Sequence, residues 1–158
     1  MKLLIQRVTE ASVSVEGQII GKIGRGLLVL VGIGSVDLEC EKQRQLEIAD
    51  KMVKKLVGLR IFEDENGKTN LDMKTIGGEL LLISQFTLYA ECRKGNRPSF
   101  TNAGEPEGAY QLYCYLADKC RQESVRVEEG RFGANMQVNL VNDGPFTIML
   151  DSAEICKF

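Results

Sequence analysis

A mixed α/β fold in one compact domain is what this sequence predicts, and three features say so. The first 34 residues alternate apolar and polar side chains between glycines, which is strand-and-turn patterning. Two later stretches repeat their apolar residues every three and four positions, which is helical. Leu80 to Ile83 is a continuous apolar run bounded by Gly77-Gly78 and a charged loop, and so short a run suits a buried strand. With 158 residues, 44% hydrophobic and 27% charged, the chain is long enough to bury about two-thirds of its unfolded surface in a single core-bearing domain.

In order, Lys2 to Val8 reads as a strand. Ala11, Val13 and Val15 then alternate with Ser12, Ser14 and Glu16, so one face is apolar. Gly17 marks a turn, Ile19 to Ile23 a short returning strand, Gly24 to Gly26 a second turn, and Leu27 to Ile33 a buried strand. Together these predict a β-meander. Asp37 is expected as the N-cap of a helix running to about Val57, with Leu46, Ala49, Met52, Val53 and Leu56 on its apolar face, a solvated charged face opposite, and Gly58 as its stop. Leu59 to Phe62 is a short strand, followed by Asn66-Gly67, a pair that favours a tight primed turn. Pro106 suits the first position of a second helix, whose Ala109, Leu112, Tyr113, Leu116 and Cys120 share a face. Val125 to Val127 is a short strand, and Gly130 to Leu150 reads as two alternating strands joined near Asn142 to Pro145.

Two places are chemically informative. The stretch Leu80 to Ala90 reads as one strand with Ser84, Gln85 and Thr87 set into its apolar wall. Burying a hydroxyl or amide unpaired costs about 1 to 3 kcal/mol, so these groups either bond to nearby backbone or line a pocket. At Gly144-Pro145 the residues read first as a plain hairpin turn, since Asp-Gly and Gly-Pro are common turn dipeptides; the sharper alternative is a cis peptide whose two carbonyl oxygens would receive an ammonium group. Arg93, Lys94 and Arg97 cluster around Gly95 and Asn96, either as a solvated loop or as a phosphate-contacting one.

Composition removes several chemistries. The chain has no histidine, which excludes Ser-His-Asp and Cys-His mechanisms and every His-containing zinc site. Cys40, Cys92, Cys114, Cys120 and Cys156 form no CxxC pair, and the opening MKLLIQRVTEASVSV breaks into polar alternation after Ile5 rather than forming a secretory apolar region. Reduced thiols in the cytoplasm are therefore expected. No apolar run approaches the roughly 20 residues that span a bilayer. A net charge of -2 argues against coating nucleic acid by bulk charge, although a local basic patch remains compatible with it.

SQFTL at Ser84 to Leu88, taken with NDGPFT at Asn142 to Thr147, resembles the paired signature of the D-aminoacyl-tRNA deacylases. The flanks IQRV at Ile5 to Val8, GLLVLVGI, RPSF at Arg97 to Phe100 and GRFGANMQV at Gly130 to Val138 extend that resemblance through nearly the whole chain. It implies a D-aminoacyl-tRNA deacylase domain over residues 1–153 and a short C-terminal tail over 154–158. The implied fold has layered β-sheets with two main outer helices, and the implied assembly is a homodimer with its active site at the subunit interface; no cofactor is expected, and the lack of histidine and of clustered cysteines argues against a metal.

The implied reaction is hydrolysis of the ester of D-aminoacyl-tRNA, and of glycyl-tRNA mischarged on alanine tRNA. Gly144-Pro145 of one subunit would hold the substrate ammonium in the pocket of the other. Arg7 would brace that dipeptide, and Asn142 and Thr147 would belong to the same substrate-binding set. Ser84, Gln85, Phe86 and Thr87 would line the reacting carbonyl, with backbone N–H groups near Gln85 and Phe86 as the oxyanion hole. Thr87 is the nucleophile by residue type, but without a histidine base the reading favoured is that the substrate's own ribose hydroxyl activates water. Arg93, Lys94 and Arg97 would contact tRNA. The competing expectations are a non-catalytic RNA-binding module on the same scaffold and a hydrolase of small or peptidyl esters.

Overall fold

The computed structural model describes residues 1–123 and 125–156. Its organising element is β1 (Lys2–Val15), which carries two strands in succession along one edge. Its second half pairs antiparallel with β2 (Gln18–Ile23), and its first half with β3 (Gly26–Gly32). The expected meander is therefore corrected: β1 is too long for a single neighbour, so the chain returns twice to it and the order becomes β2-β1-β3. Parallel partners extend the sheet through β6 (Glu79–Ser84) and β7 (Arg126–Glu129). Twist curls it until β2 approaches β7, where a side chain at Gly21 would meet the Glu129 carbonyl oxygen at 2.9 Å.

The other edge of β1 is covered by β8 (Gln137–Asp151), one strand from end to end rather than the two expected. Gln6 pairs with Thr147 and Val8 with Asn142, so Asp143 to Phe146 stand opposite Arg7 alone. The turn-like residues Asp143, Gly144 and Pro145 do not reverse the chain. They push it out of the sheet as a bulge, and the ladder resumes beyond.

One face of the sheet packs on α2 (Lys42–Val57) and α3 (Pro106–Gln122), burying Leu3, Ile5, Leu27, Val29, Leu80 and Leu82 against Met52, Leu56, Leu112 and Leu116. The opposite face closes on itself around Val8, Val13, Leu28, Leu81 and Ile83. Leu80 to Ile83 is almost wholly buried because cores lie on both of its faces and, as far as Leu82, parallel strands on both of its edges. Pro106 opens α3 as expected, with the Glu105 carboxylate accepting from the Glu107 and Gly108 N–H groups. The pair β4 (Phe62–Glu63) and β5 (Thr69–Leu71) forms a small separate hairpin. Only Gly67 of its turn takes positive φ, so the expected primed turn is absent, and Gly67 donates to the Asp64 carbonyl instead.

The Asp37 expectation is also corrected. The helical stretch breaks into α1 (Ser35–Leu38) and α2, and Asp37 lies inside α1, buried. Its carboxylate accepts from the Met1 ammonium, the Gly34 N–H (2.7 Å), the Tyr89 hydroxyl (2.9 Å) and the Ser152 hydroxyl (3.2 Å). Ser152 opens the short α4 (Ser152–Ile155), and Cys156 beyond it is buried in the main core; Lys157 and Phe158 lie outside the described residues. Asp37→Asn would strand the buried ammonium without its counter-charge. A loss of about 3 to 5 kcal/mol is expected, read as a lowered urea midpoint at unchanged m-value.

Among the described residues, no helix is long and apolar enough to cross a membrane.

Candidate active site

The polar end of β6 sits where the sheet runs out. β7 pairs with β6 only as far as Leu82, and the Gly130 N–H then closes on the Leu82 carbonyl at 3.0 Å as the chain turns away. Beyond that point the edge at Ile83, Ser84 and Gln85 has no strand beside it. A cavity of about 510 Å³ opens there, roofed by Pro106, Ala109 and Tyr113 of α3 and by the loop from Phe132 to Met136. Its position outside the carboxyl end of a parallel strand is where sheets of this kind admit ligands.

The strand stops sooner than expected. Phe86–Tyr89 forms a single 3-10 turn with Gln85 at its head, so Gln85 and Thr87 do not alternate across a sheet. Gly32 permits this turn to lie against β3: a side chain there would meet Leu88 Cβ at 2.9 Å and the Gln85 carbonyl at 3.2 Å. Lys2 holds the turn from below, donating to the Leu88 carbonyl (3.5 Å) with its Nζ 4.9 Å from the centre of the Tyr89 ring. Tyr89 is anchored on Asp37. Burial first, and then the Asp37 charge, raise the pKa of its phenol well above the ordinary value, which keeps it a hydrogen-bond donor.

The turn decides which backbone donors are free. The Gln85 N–H is spent on the Val31 carbonyl at 2.7 Å, which removes it from the expected oxyanion pair. Phe86 and Thr87 occupy the first positions of the turn, where N–H groups have no partner within it. Thr87 Oγ1 pairs with the Gln85 side-chain amide, and neither end of an amide is a base. Ser84, Gln85 and Phe86 line the cavity, whereas Thr87 lies outside its wall.

The second cluster lies at the β8 bulge. Arg7, buried, donates to the Asp143 carbonyl (3.1 Å) and the Ile61 carbonyl (2.6 Å), and its guanidinium lies 4.7 Å from the centre of the Phe146 ring. Asn142 closes the base of the bulge, accepting from the Phe146 N–H (2.6 Å) and donating to Thr147 Oγ1 (2.9 Å). Between these braces Gly144 and Pro145 stand exposed, joined by a cis peptide bond, with Gly144 at φ +134°.

The structure brings Arg7, Asn142, Gly144, Pro145 and Thr147 together, and separately Ser84, Gln85, Phe86 and Thr87. It does not bring the two groups together within one chain. Ser84 lies at the level of Val31 and Leu3, and Gly144 at the level of Arg7, three strands away. At about 4.8 Å between strands and 3.3 Å per residue, the two are roughly 20 Å apart.

The basic loop is closed by Glu91 and Ser99, whose N–H and carbonyl groups pair at 2.8 and 2.9 Å. Glu91 takes up the charge of Arg93, while Lys94 and Arg97 project into solvent. Sequence reasoning missed most of the cavity lining: Ala103, Gly104, Tyr113, Phe132, Asn135 and Met136 come from three separate segments. The signal in GRFGANMQV was its likeness to a flank of the family signature; the strand expected from Gly130 begins only at Gln137, and residues 130–136 form a loop over the cavity. Among the described residues, no three His, Cys, Asp or Glu side chains cluster as a metal-ligand set.

Residues 4–151 match the family model described as D-Tyr-tRNA(Tyr) deacylase. A D-aminoacyl-tRNA deacylase of Thermosipho melanesiensis is 49% identical over 156 residues, covering 98% of this chain and 99% of that protein. One from Koribacter versatilis is 53% identical over 152 residues, covering 96% and 97%. Among solved structures, a c-Myc DNA unwinding element binding protein superposes with a TM-score of 0.82 at 44% identity, covering 96% of this chain and 98% of that one. A probable eukaryotic D-amino acid tRNA deacylase superposes with a TM-score of 0.79 over 94% and 97%; at 19% identity it shares the fold.

Proposed function

The chain belongs to the D-Tyr-tRNA(Tyr) deacylase family, hydrolases that cleave aminoacyl-tRNA esters, and from that premise we propose that it works as a cytoplasmic homodimer whose two catalytic halves come from different subunits. The observation that carries this reading is strand order: the bulge lies on β8 and the cavity beside β6, with β1 and β3 between them, which at ordinary strand spacings separates the two groups by roughly 20 Å in one chain. A second copy supplies what the first lacks. The surface between the two groups is suited to such a contact: Leu4 and Met149, paired across β1 and β8, belong to neither core, and Met149 is 46% exposed. Gln6 and Thr147 continue that strip to the exposed bulge. A two-fold axis through it makes the same patch serve both subunits.

In the assembled site, the terminal nucleoside of the tRNA occupies the cavity beneath α3. The ester carbonyl lies at the head of the 3-10 turn, where the Phe86 and Thr87 N–H groups receive the developing oxyanion. The partner's bulge presents main-chain carbonyl oxygens to the α-ammonium. With both ends of the amino acid held, one direction remains open at the α-carbon: a D side chain leaves toward solvent and an L side chain strikes rigid backbone. Glycine passes because it has no side chain, so glycyl-tRNA mischarged on alanine tRNA is also a substrate. Exclusion by main-chain atoms braced by Arg7 and Asn142 discriminates more strongly than a pocket merely preferring one side chain, which supplies only about 1 to 3 kcal/mol. The neighbouring ribose hydroxyl of the substrate activates the attacking water, because the partner of Thr87 is an amide.

Release of amino acid from D-tyrosyl-, glycyl- and L-tyrosyl-tRNA tests this. The D and glycyl esters are expected to be cleaved with turnover and the L ester spared. Stoichiometric binding without release would leave only the RNA-binding module, and equal cleavage of both enantiomers would remove the exclusion mechanism.

A further inference from the structure

At the rim of the cavity two aromatic rings stand exposed. Phe86 is 56% exposed and Phe100 37%, with ring centres 5.1 Å apart and planes at 71°. Such an edge-to-face pair leaves ring area facing water, which costs free energy unless something covers it. Phe86 belongs to the cavity wall. Phe100 starts the segment that reaches that wall, its carbonyl accepting from the Ala103 N–H at 3.0 Å. That segment is pinned to the core: the Gly104 N–H donates to the Ile33 carbonyl at 2.9 Å and the Ser35 N–H to the Asn102 carbonyl at 3.0 Å. Phe100 also directly follows the Glu91–Ser99 pairing that closes the basic loop. The rings therefore lie between an opening and a cationic loop, both held by backbone hydrogen bonds.

We propose that Phe86 and Phe100 form a stacking platform for the base next to the terminal nucleotide, with Lys94 and Arg97 facing the phosphates that precede it. This rests on the proposed function, in which the terminal nucleoside fills the cavity. A single strand leaving the opening reaches the rim one nucleotide on, and aromatic faces beside cations are how proteins hold unpaired strands whatever their sequence. The neighbouring charges favour this occupant over an apolar segment of another protein. The Arg93 charge is already met by Glu91, so Lys94 and Arg97 carry the complementary charge. The platform gives the enzyme a grip common to all tRNAs.

The test compares D-tyrosyl-tRNA with the D-tyrosyl ester of the terminal nucleoside alone, on the wild type, Phe100→Ala and Phe100→Leu. The ratio of kcat/KM between the two substrates is expected to fall about 5- to 100-fold in both variants, through KM for the tRNA. An abasic residue at the penultimate position should impose the same loss on the wild type and little more on the variants. Binding of uncharged tRNA, with and without that base, is measured in parallel, so the stacking result is obtained even from a chain that releases no amino acid. Equal losses on both substrates, independent losses from the abasic residue and the variant, or a change in oligomeric mass on replacing Phe100 would each overturn the proposal.

Discussion

Gly144→Ala is expected to lower kcat/KM for D-tyrosyl-tRNA by at least about 100-fold while leaving a folded protein. Gly144 sits at φ +134°, a region that L side chains rarely adopt, and it has no slack around it. An added Cβ would lie 3.1 Å from the Phe146 nitrogen, 3.2 Å from an Arg7 guanidinium nitrogen and 3.3 Å from Phe146 Cβ. These are the atoms that fix the bulge, so the substitution moves the main-chain groups proposed to receive the ammonium. Displacements near 1 Å at a reacting centre cost about 100-fold. Gly144 itself is exposed, but Phe146 packs against the main core and Arg7 is buried, so the denaturation midpoint should fall somewhat as well, and the loss in kcat/KM is read on protein shown to be folded at the assay temperature. Activity within a few-fold of wild type would mean the bulge does not touch substrate.

The second large effect lies on the substrate. Removing the neighbouring ribose hydroxyl should cost about 100-fold or more, the scale of a lost general base, whereas Thr87→Ala should cost less than about 10-fold. The reason is local: Thr87 Oγ1 pairs with the Gln85 amide, and the turn offers its main-chain N–H groups, which alanine retains. Single-turnover rates on the four combinations of enzyme and substrate separate the two. Near-total loss from Thr87→Ala with binding intact would make that hydroxyl the nucleophile.

Much of this architecture was legible because it is written in periodicity. The apolar faces of α2 and α3, the alternation along β1 and the buried run at Leu80 to Ile83 all follow from side-chain spacing, which the backbone cannot evade. The errors fall where a local preference is overruled by a distant partner. Asn142 to Pro145 carry turn residues, yet β1 runs past them on both sides and holds β8 as one strand, so the same residues become a bulge. Thr87 and Tyr89 suit a strand, but no neighbouring strand continues beyond Gln85, and the chain winds into a 3-10 turn against Gly32. Asp37 resembles an N-cap in isolation, and only the fold shows the Met1 ammonium and Tyr89 hydroxyl converging on it. The two motifs were each readable, but their mutual distance belongs to strand order, which no local pattern encodes.

Mixing two damaged subunits tests the shared site most directly. One carries Gly144→Ala; the other carries Ala103→Trp, which fills the cavity with an indole. Each homodimer has two defective sites. If the bulge serves the opposite cavity, a mixed dimer gathers both lesions in one site and leaves the other whole, and D-tyrosyl-tRNA hydrolysis returns to about half the wild-type rate per mixed dimer. If each chain builds its own site, both sites of the mixed dimer stay defective; no recovery on mixing, or full activity from a monomer, would contradict a catalytic centre divided between two subunits.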